Sequence, residues 1–308
     1  NKGFFIILTT IKDDGRIVNM GKIQIITDSA SDISYENEKK YNIHIIPFPV
    51  VIGDQSYLSR VDMDNEGFYK LMEEHDDIPK TSQITSYQFE ELYYEYYQKG
   101  CTEIILVLIN SKGSATYHNS LLAIDTFFEE HPECEGKISI HSHDGRSYSG
   151  AYGQPVLTAG QMAEDGASAD EINEYLEKIL VRRCVYFGIY NLKYAGKSGR
   201  IPSAAAFVGD KLGIKPIMKI WGNEITTAAK CRGEKKVVAK IADMAVADME
   251  PGSAYQVVYG SDRSCADEMI QKMTEKVGYG PTEVYQIGVA IAANAGPKVS
   301  GVLFDMKQ

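Results

Sequence analysis

The sequence predicts a two-domain α/β protein: an N-terminal parallel-sheet α/β/α domain followed by a C-terminal α+β domain, with a ligand crevice between them. Three observations predict it. Strand-length apolar runs alternate with helix-length segments through the first half, the pattern of a parallel sheet covered on both faces. The second half mixes a hairpin with crossover helices, which suits a separate α+β layer. The first-half strands run out into hydroxyl-rich loops, and such folds bind ligands beyond the carboxyl ends of their strands. The boundary falls near residue 180, so residues 20–180 form the first domain and 181–308 the second. Met20-Gly21-Lys22 precedes the first convincing strand, which sets residues 1–19 apart as an extension whose apolar run 4–8 could pair on a sheet edge.

In order, residues 23–27 read as a buried strand ending in the polar cluster Asp28-Ser29-Ala30-Ser31-Asp32, and 34–40 as a short helix. Residues 43–52 are rich in β-branched side chains, but Pro47 and Pro49 confine them to an edge. A helix over 65–74 carries Phe68, Leu71 and Met72 on one face. Thr85-x-x-Gln88 has the form of a capping box for a helix closed by Gly100. Residues 103–109 are apolar on both faces, a central parallel strand. After it come a helix to about 130, a strand over 137–142, a helix stopping at Gly166 and another capped by Ser168-x-x-Glu171. The second domain reads as a strand (183–192), a short helix from Pro202 to Gly213, a hairpin around Trp221-Gly222-Asn223-Glu224, a helix (234–249), a strand (255–259), a helix (264–277) and a last strand (283–291). Gly288, Gly296, Gly301 and Pro297 mark a tight C-terminal loop that holds Asn294.

Composition excludes several function classes. The 308 residues carry a net charge of -10 and the densest basic run, 230–236, is broken by Glu234, so no affinity for nucleic acid is expected. Five scattered cysteines without a CxxC pair argue for reduced thiols and a cytoplasmic protein. No apolar run approaches the roughly 20 residues of a membrane span, and residues 4–8 are too short for a signal-peptide core.

Two loops carry the candidate chemistry: Thr81-Ser82-Gln83-Ile84-Thr85 and Asn110-Ser111-Lys112-Gly113-Ser114-Ala115-Thr116-Tyr117. Each opens a helix, and hydroxyls at a helix N-terminus make a receptor for phosphate or carboxylate. Plain N-capping is the bland alternative for either loop alone; two at one sheet edge favour binding. Ser114 with His118 four residues on could form a nucleophile and base, but no GxSxG elbow surrounds Ser114, so a serine hydrolase stays an alternative, as does a binder of another small anionic metabolite. His141-Ser142-His143-Asp144 offers metal-ligand types and is read as a solvated strand end, so no metal is expected. Gly196-Lys197-Ser198 matches only the tail of a phosphate-loop motif, with Asn191 where the first glycine belongs. Arg200 and Arg232 are candidates for holding an acidic group.

Taken together these pieces resemble the DegV family of bacterial fatty-acid-binding proteins, which includes the FakB group, over about residues 22–305. The resemblance rests on the order and spacing of Ile26-Thr27-Asp28-Ser29, Thr81-Ser82-Gln83, Ser114-Ala115-Thr116-Tyr117, Asp144 through Ser149 to Gly153, Lys197-Ser198-Gly199-Arg200-Ile201, Ile214-Lys215-Pro216-Ile217, Arg232 and Gly296-Pro297. It implies a non-catalytic carrier with a palmitate-like long-chain fatty acid buried between two domains and no cofactor. It further implies that the carboxylate is shown to a separate ATP-dependent kinase, which makes an acyl phosphate for phospholipid metabolism. Thr81, Ser82, Ser114, Ala115 and Asn294 would bind the carboxylate, and Arg200 and Arg232 would sit near the head group or face the partner. The chain departs from the family pattern at Ala115 for glycine, at Ser198 in Lys-Ser-Gly-Arg and at Gly145 after Asp144. It departs again in the last loop, where the family histidine is Asn294 and the glycine after Gly-Pro is Lys298. Asparagine donates a hydrogen bond but carries no charge, so binding is expected to persist while head-group protonation and phosphotransfer lose a charged group. A lipid fits the physics: about 0.8 kcal/mol per buried methylene gives a tail of about fifteen on the order of 10 kcal/mol before ordering costs. A buried carboxylate needs several donors, which clustered hydroxyls provide.

Overall fold

Apolar runs and turn residues resolve into four sheets and ten α-helices among the residues that the computed structural model describes: 9–11, 17–19, 21–75, 77–201 and 213–307. Among the described residues strands β1 (Thr9–Ile11) and β2 (Ile17–Asn19) pair only with each other, antiparallel. Residues 4–8 and the expected helix from Pro202 lie outside the described residues.

The first large sheet is parallel, in the order β4-β3-β8-β9: β3 (Ile23–Asp28), β4 (Ile43–Ile46), β8 (Glu103–Leu108) and β9 (Ser139–Asp144). Strand β8 is inside it, as its apolar faces require, and residues 104–108 are fully buried. Helices α3 (Ser86–Gln98) and α4 (Thr116–Glu130) pack as one pair, α5 (Gly150–Glu164) and α6 (Ala169–Leu180) as another, and α1 (Tyr35–Lys40) beside β4. The run 43–52 is not one strand. It splits at Pro47, which lacks the N–H to continue a ladder. Its first part is the edge strand β4; its second, β5 (Pro49–Ile52), is the middle of a small antiparallel sheet with β6 (Gln55–Leu58) and β7 (Lys80–Thr81). Helix α2 (Asn65–Glu74) buries Phe68, Tyr69 and Met72.

The second large sheet has the order β12-β11-β10-β15-β13-β14, antiparallel except between β13 and β14. Its strands are β10 (Arg183–Ile189), β11 (Ile214–Trp221), β12 (Glu224–Arg232), β13 (Tyr255–Tyr259), β14 (Glu283–Gln286) and β15 (Val299–Asp305). Alternation along β10 divides its side chains. Cys184 and Tyr186 pack with Val237 and Ile241 of α8 (Val237–Asp248) and Met269 of α9 (Arg263–Val277). Val185, Phe187 and Ile189 face the other way, into a core shared with Val50, Phe68 and Ala151 of the first half. Buried Arg183 ties the halves together, donating to Ala151 O at 3.0 Å and Asp305 Oδ1 at 2.7 Å.

The C-terminal expectation needs correction. Strand β14 stops at Gln286, residues Val289–Ala295 form helix α10 between β7 and α7 (Leu192–Ser198), and Val299–Asp305 is a central strand rather than part of a loop. Gly301 is there for space, not for a turn: a Cβ on it would lie 2.7 Å from Tyr186 O and 2.9 Å from Phe187 Cβ.

Candidate ligand-binding site between the two sheets

A cavity of about 420 Å³ lies between the carboxyl-terminal loops of the parallel sheet and the inner face of the second sheet. Its walls are apolar where Phe48, Val185, Phe187, Ile220, Val258 and Leu303 meet, and polar where Thr81, Ser82, Gln83, Ser114 and Asn294 gather. A few convergent polar groups on a largely apolar concavity are the usual form of a small-molecule site.

The polar loops reach it by different routes. Helix α3 does not present its N-terminus: Thr85 caps it, with Gln88 N–H donating to Thr85 Oγ1 at 3.3 Å and Thr85 N–H to Gln88 Oε1 at 3.0 Å. Thr81 comes instead from β7, in register with Val50, and Ser82 N–H is taken by Pro49 O at 3.1 Å. Helix α4, by contrast, begins at the cavity. Its N-cap is Ala115, which has no side-chain acceptor to close the helix end, and Ser114, Ala115 and His118 line the cavity. Ser114 Oγ accepts from Thr116 N–H at 3.3 Å and shares a hydrogen with Thr116 Oγ1 at 2.9 Å. Thr116 Oγ1 accepts Ile84 N–H at 3.2 Å, and Asn119 Nδ2 donates to Ile84 O at 2.7 Å, so the two loops are bonded together. Ser114 bonds to no imidazole among the described residues, so a ready Ser114–His118 pair is absent from this geometry.

Asn294, near the end of α10, donates to Ala290 O at 2.9 Å and approaches Thr81 Oγ1 at 3.4 Å, so it joins the same cluster. Arg200 is exposed at the mouth, following the left-handed cap Gly199 (φ 71°), with its guanidinium on Ser198 O at 2.8 Å. Arg232 is not among the cavity-lining residues; it is exposed at the end of β12, in register with Ile214. Lys197 and Ser198 end helix α7 rather than open one, the wrong pole for a phosphate.

The third polar loop braces the second more than it lines the cavity. Asp144 accepts Ser111 N–H at 3.0 Å and Arg146 N–H at 2.8 Å, and Asn110 Nδ2 donates to Arg146 O at 3.0 Å. Gly113 leaves room for the Tyr148 hydroxyl: a Cβ there would lie 2.1 Å from Tyr148 Oη and would push that ring aside. Strand β9 runs on through Asp144, so His141 and His143 share a face, yet each has its own partner, Glu103 at 3.4 Å and Asn173 at 2.8 Å. Among the described residues no group of three or more His, Cys, Asp or Glu side chains could hold a metal ion.

Two buried carboxylates, Asp28 and Asp32, have no role assigned from the sequence. Asp28 Oδ1 accepts from Ala30 N–H (3.0 Å) and Tyr152 Oη (2.6 Å), and Oδ2 from Ile109 N–H (2.7 Å); burial still pushes its pKa up to about 6. Asp32 Oδ1 accepts the N–H of Gly288, the N-cap of α10, at 2.9 Å. Among the described residues its Oδ2 and the Ser149 hydroxyl are both buried without a well-formed hydrogen bond, although Ser149 is close enough to ease the charge, and burial pushes the Asp32 pKa up to about 7. In the sequence Asp28 shows only as part of the family piece Ile26-Thr27-Asp28-Ser29, and Asp32 only as the end of a short polar cluster after a strand.

A family model described as "Uncharacterised protein, DegV family" matches residues 22–307. The chain belongs to the DegV family. A DegV domain-containing protein of Caldanaerobacter subterraneus is 30% identical over 294 residues, covering 94% of this chain and 100% of that protein. Protein DegV of Bacillus subtilis is 27% identical, covering 92% and 99%. Among solved structures, a DegV lipid-binding protein from Thermotoga maritima superposes with a TM-score of 0.79 at 26% identity, covering 93% of this chain and 99% of that one. A second Thermotoga maritima protein, reported to reveal fatty acid binding function, gives 0.78 at 25% identity, covering 93% and 100%. A stearic acid-binding protein from Eubacterium ventriosum, at 22% identity and 0.81, covering 91% and 97%, shares the fold. No helix among the described residues is long and apolar enough to cross a membrane.

Proposed function

We propose that this DegV protein is a non-catalytic carrier of a long-chain, palmitate-like fatty acid, its tail along the apolar walls and its carboxylate at Thr81, Ser82, Ser114, Ala115 and Asn294. The observation that carries the reading is the division of one cavity into an apolar chamber and a polar end built of hydroxyls, an asparagine and an open helix N-terminus. Those donors suit a carboxylate without a salt bridge, and the chamber supplies the affinity through methylene burial. The relatives described as lipid- and fatty-acid-binding support the same ligand class. We further infer that the carboxylate is presented, beside the exposed Arg200, to a separate ATP-dependent fatty acid kinase in the cytoplasm of a bacterium. The non-catalytic part of the reading is supported by Ser114, which bonds to no base among the described residues.

Native mass spectrometry of protein purified from a bacterial host tests the ligand. The expected result is a mass increment matching a long-chain fatty acid, confirmed by lipid extraction. Protein that is repeatedly empty and takes up no added palmitate overturns the reading.

A further inference from the structure

The hairpin of β11 and β12 crosses from the second sheet to the loop that carries Ser114. Its two turn residues, Gly222 (φ 60°) and Asn223 (φ 69°), are both left-handed, which makes a tight two-residue turn. Asn223 Nδ2 donates to Ser111 Oγ at 3.0 Å and to Asp144 Oδ2 at 2.8 Å, and Lys112 pairs with Glu224 beside them. On either side of this contact, Ile220 and Ile225 of the hairpin and Ser111 and Lys112 of the loop line the cavity. The contact therefore closes one wall of the chamber, three residues from Ser114.

We propose that Asn223 is a positioning residue and the hairpin tip a clasp: closed, it holds the Ser111–Ser114 loop over the ligand's polar end; open, it lets ligand enter and leave. The proposal rests on the fatty-acid reading above. Three features separate the clasp from ordinary structural glue. First, it is polar and peripheral, since Lys112 and Glu224 are 57% and 58% exposed, so water replaces its bonds when it opens. Second, among the described residues β12 is an edge strand paired only with β11, and β11 pairs with β10 only as far as Ile220, so residues 221–224 at the tip can shift while the β10–β11 ladder stays intact. Third, among the described residues Asn223 Oδ1 is buried without a partner when closed, a penalty relieved on opening.

The test is transfer of a preloaded fluorescent fatty acid to excess phosphatidylcholine vesicles, followed by stopped flow, for the wild type, Asn223→Gly and Asn223→Asp. Glycine accepts the left-handed turn and removes only the amide; aspartate keeps the size and sets a carboxylate against Asp144. Both are expected to release ligand about tenfold faster, with the melting temperature of the ligand-free protein within a few degrees of wild type. Faster uptake should accompany faster release, so affinity changes less than either rate. Release by Asn223→Gly within twofold of wild type overturns the clasp. If the wild type itself takes up no fatty acid, the functional reading fails instead.

Discussion

Thr81, Ser114 and Thr85 are similar in chemistry and close in sequence to helix starts, yet only the first two line the cavity; Thr85 is spent on its own helix. Sequence spacing shows the capping box at Thr85-x-x-Gln88, but it does not show that Thr81 leaves its loop through a strand pairing with Val50. The difference is measurable. Thr81→Ala combined with Ser114→Ala is expected to weaken fatty-acid affinity about 10- to 100-fold by titration, because hydrogen bonds to a charged group are worth roughly 1.5–3 kcal/mol each and some water replaces them. Thr85→Ala should lower stability by about 1 kcal/mol in urea melts and leave affinity unchanged. Unchanged retention in the double variant would remove the site assignment. Asp32 sets a pH dependence of opposite kind to a surface carboxylate. Its folded pKa is raised, chiefly by burial, to about 7 from 3.8, so the folded state holds a proton that the unfolded state has lost. Stability on its account therefore falls as pH rises through the window from about 4 to 7, by at most about 1.4 kcal/mol per pH unit. Asn at this position keeps an oxygen for Gly288 N–H and cannot ionise. Thermal melts of Asp32→Asn should lie nearest wild type at about pH 4, gain on it up to about pH 7 and hold that lead above; parallel curves would contradict the shift.

At the scale of elements, strong periodicity and caps were legible and close-packed glycines were not. Residues 103–109 showed a buried parallel strand because both faces are apolar, and the turn at 222–223 showed a hairpin because its residues tolerate left-handed backbone. The C-terminal strand β15 was hidden by Gly301, which a sequence reader takes for a turn signal. Its lack of a side chain serves instead to let Phe187 and Val258 close over it. Those two residues line the cavity, so Gly301→Ala should act twice. Stability should drop by about 1–3 kcal/mol from overpacking, and the longest fatty acids should lose more affinity than short ones. Equal losses at every chain length would separate the glycine from the chamber. Helix α10 was misread as the end of a strand because Val289 and Ile291 are β-branched; tertiary packing against α7 and β7 overrides that preference.

For the whole molecule, the chamber exists only because the inner face of the second sheet packs against the carboxyl edge of the first. Its apolar walls come from residues far apart in the chain, such as Phe48, Phe187 and Leu303. The tail should then govern affinity: across a series of saturated fatty acids, Kd is expected to fall about fourfold per methylene, from about 0.8 kcal/mol each, until the chamber is full. A flat series would argue for a short polar ligand. The sequence by itself determined the α/β class, the family, the parallel sheet and the polar loops at its edge, because periodicity, capping and turn chemistry are local properties of a chain. The tertiary structure alone decided which hydroxyls share a cavity, that Arg232 stands away from it, that two buried aspartates brace it, and that a hairpin from the second sheet fastens its rim. Those depend on contacts between residues up to 256 positions apart, as between Asp32 and Gly288, and no local pattern records which distant partner a side chain will meet.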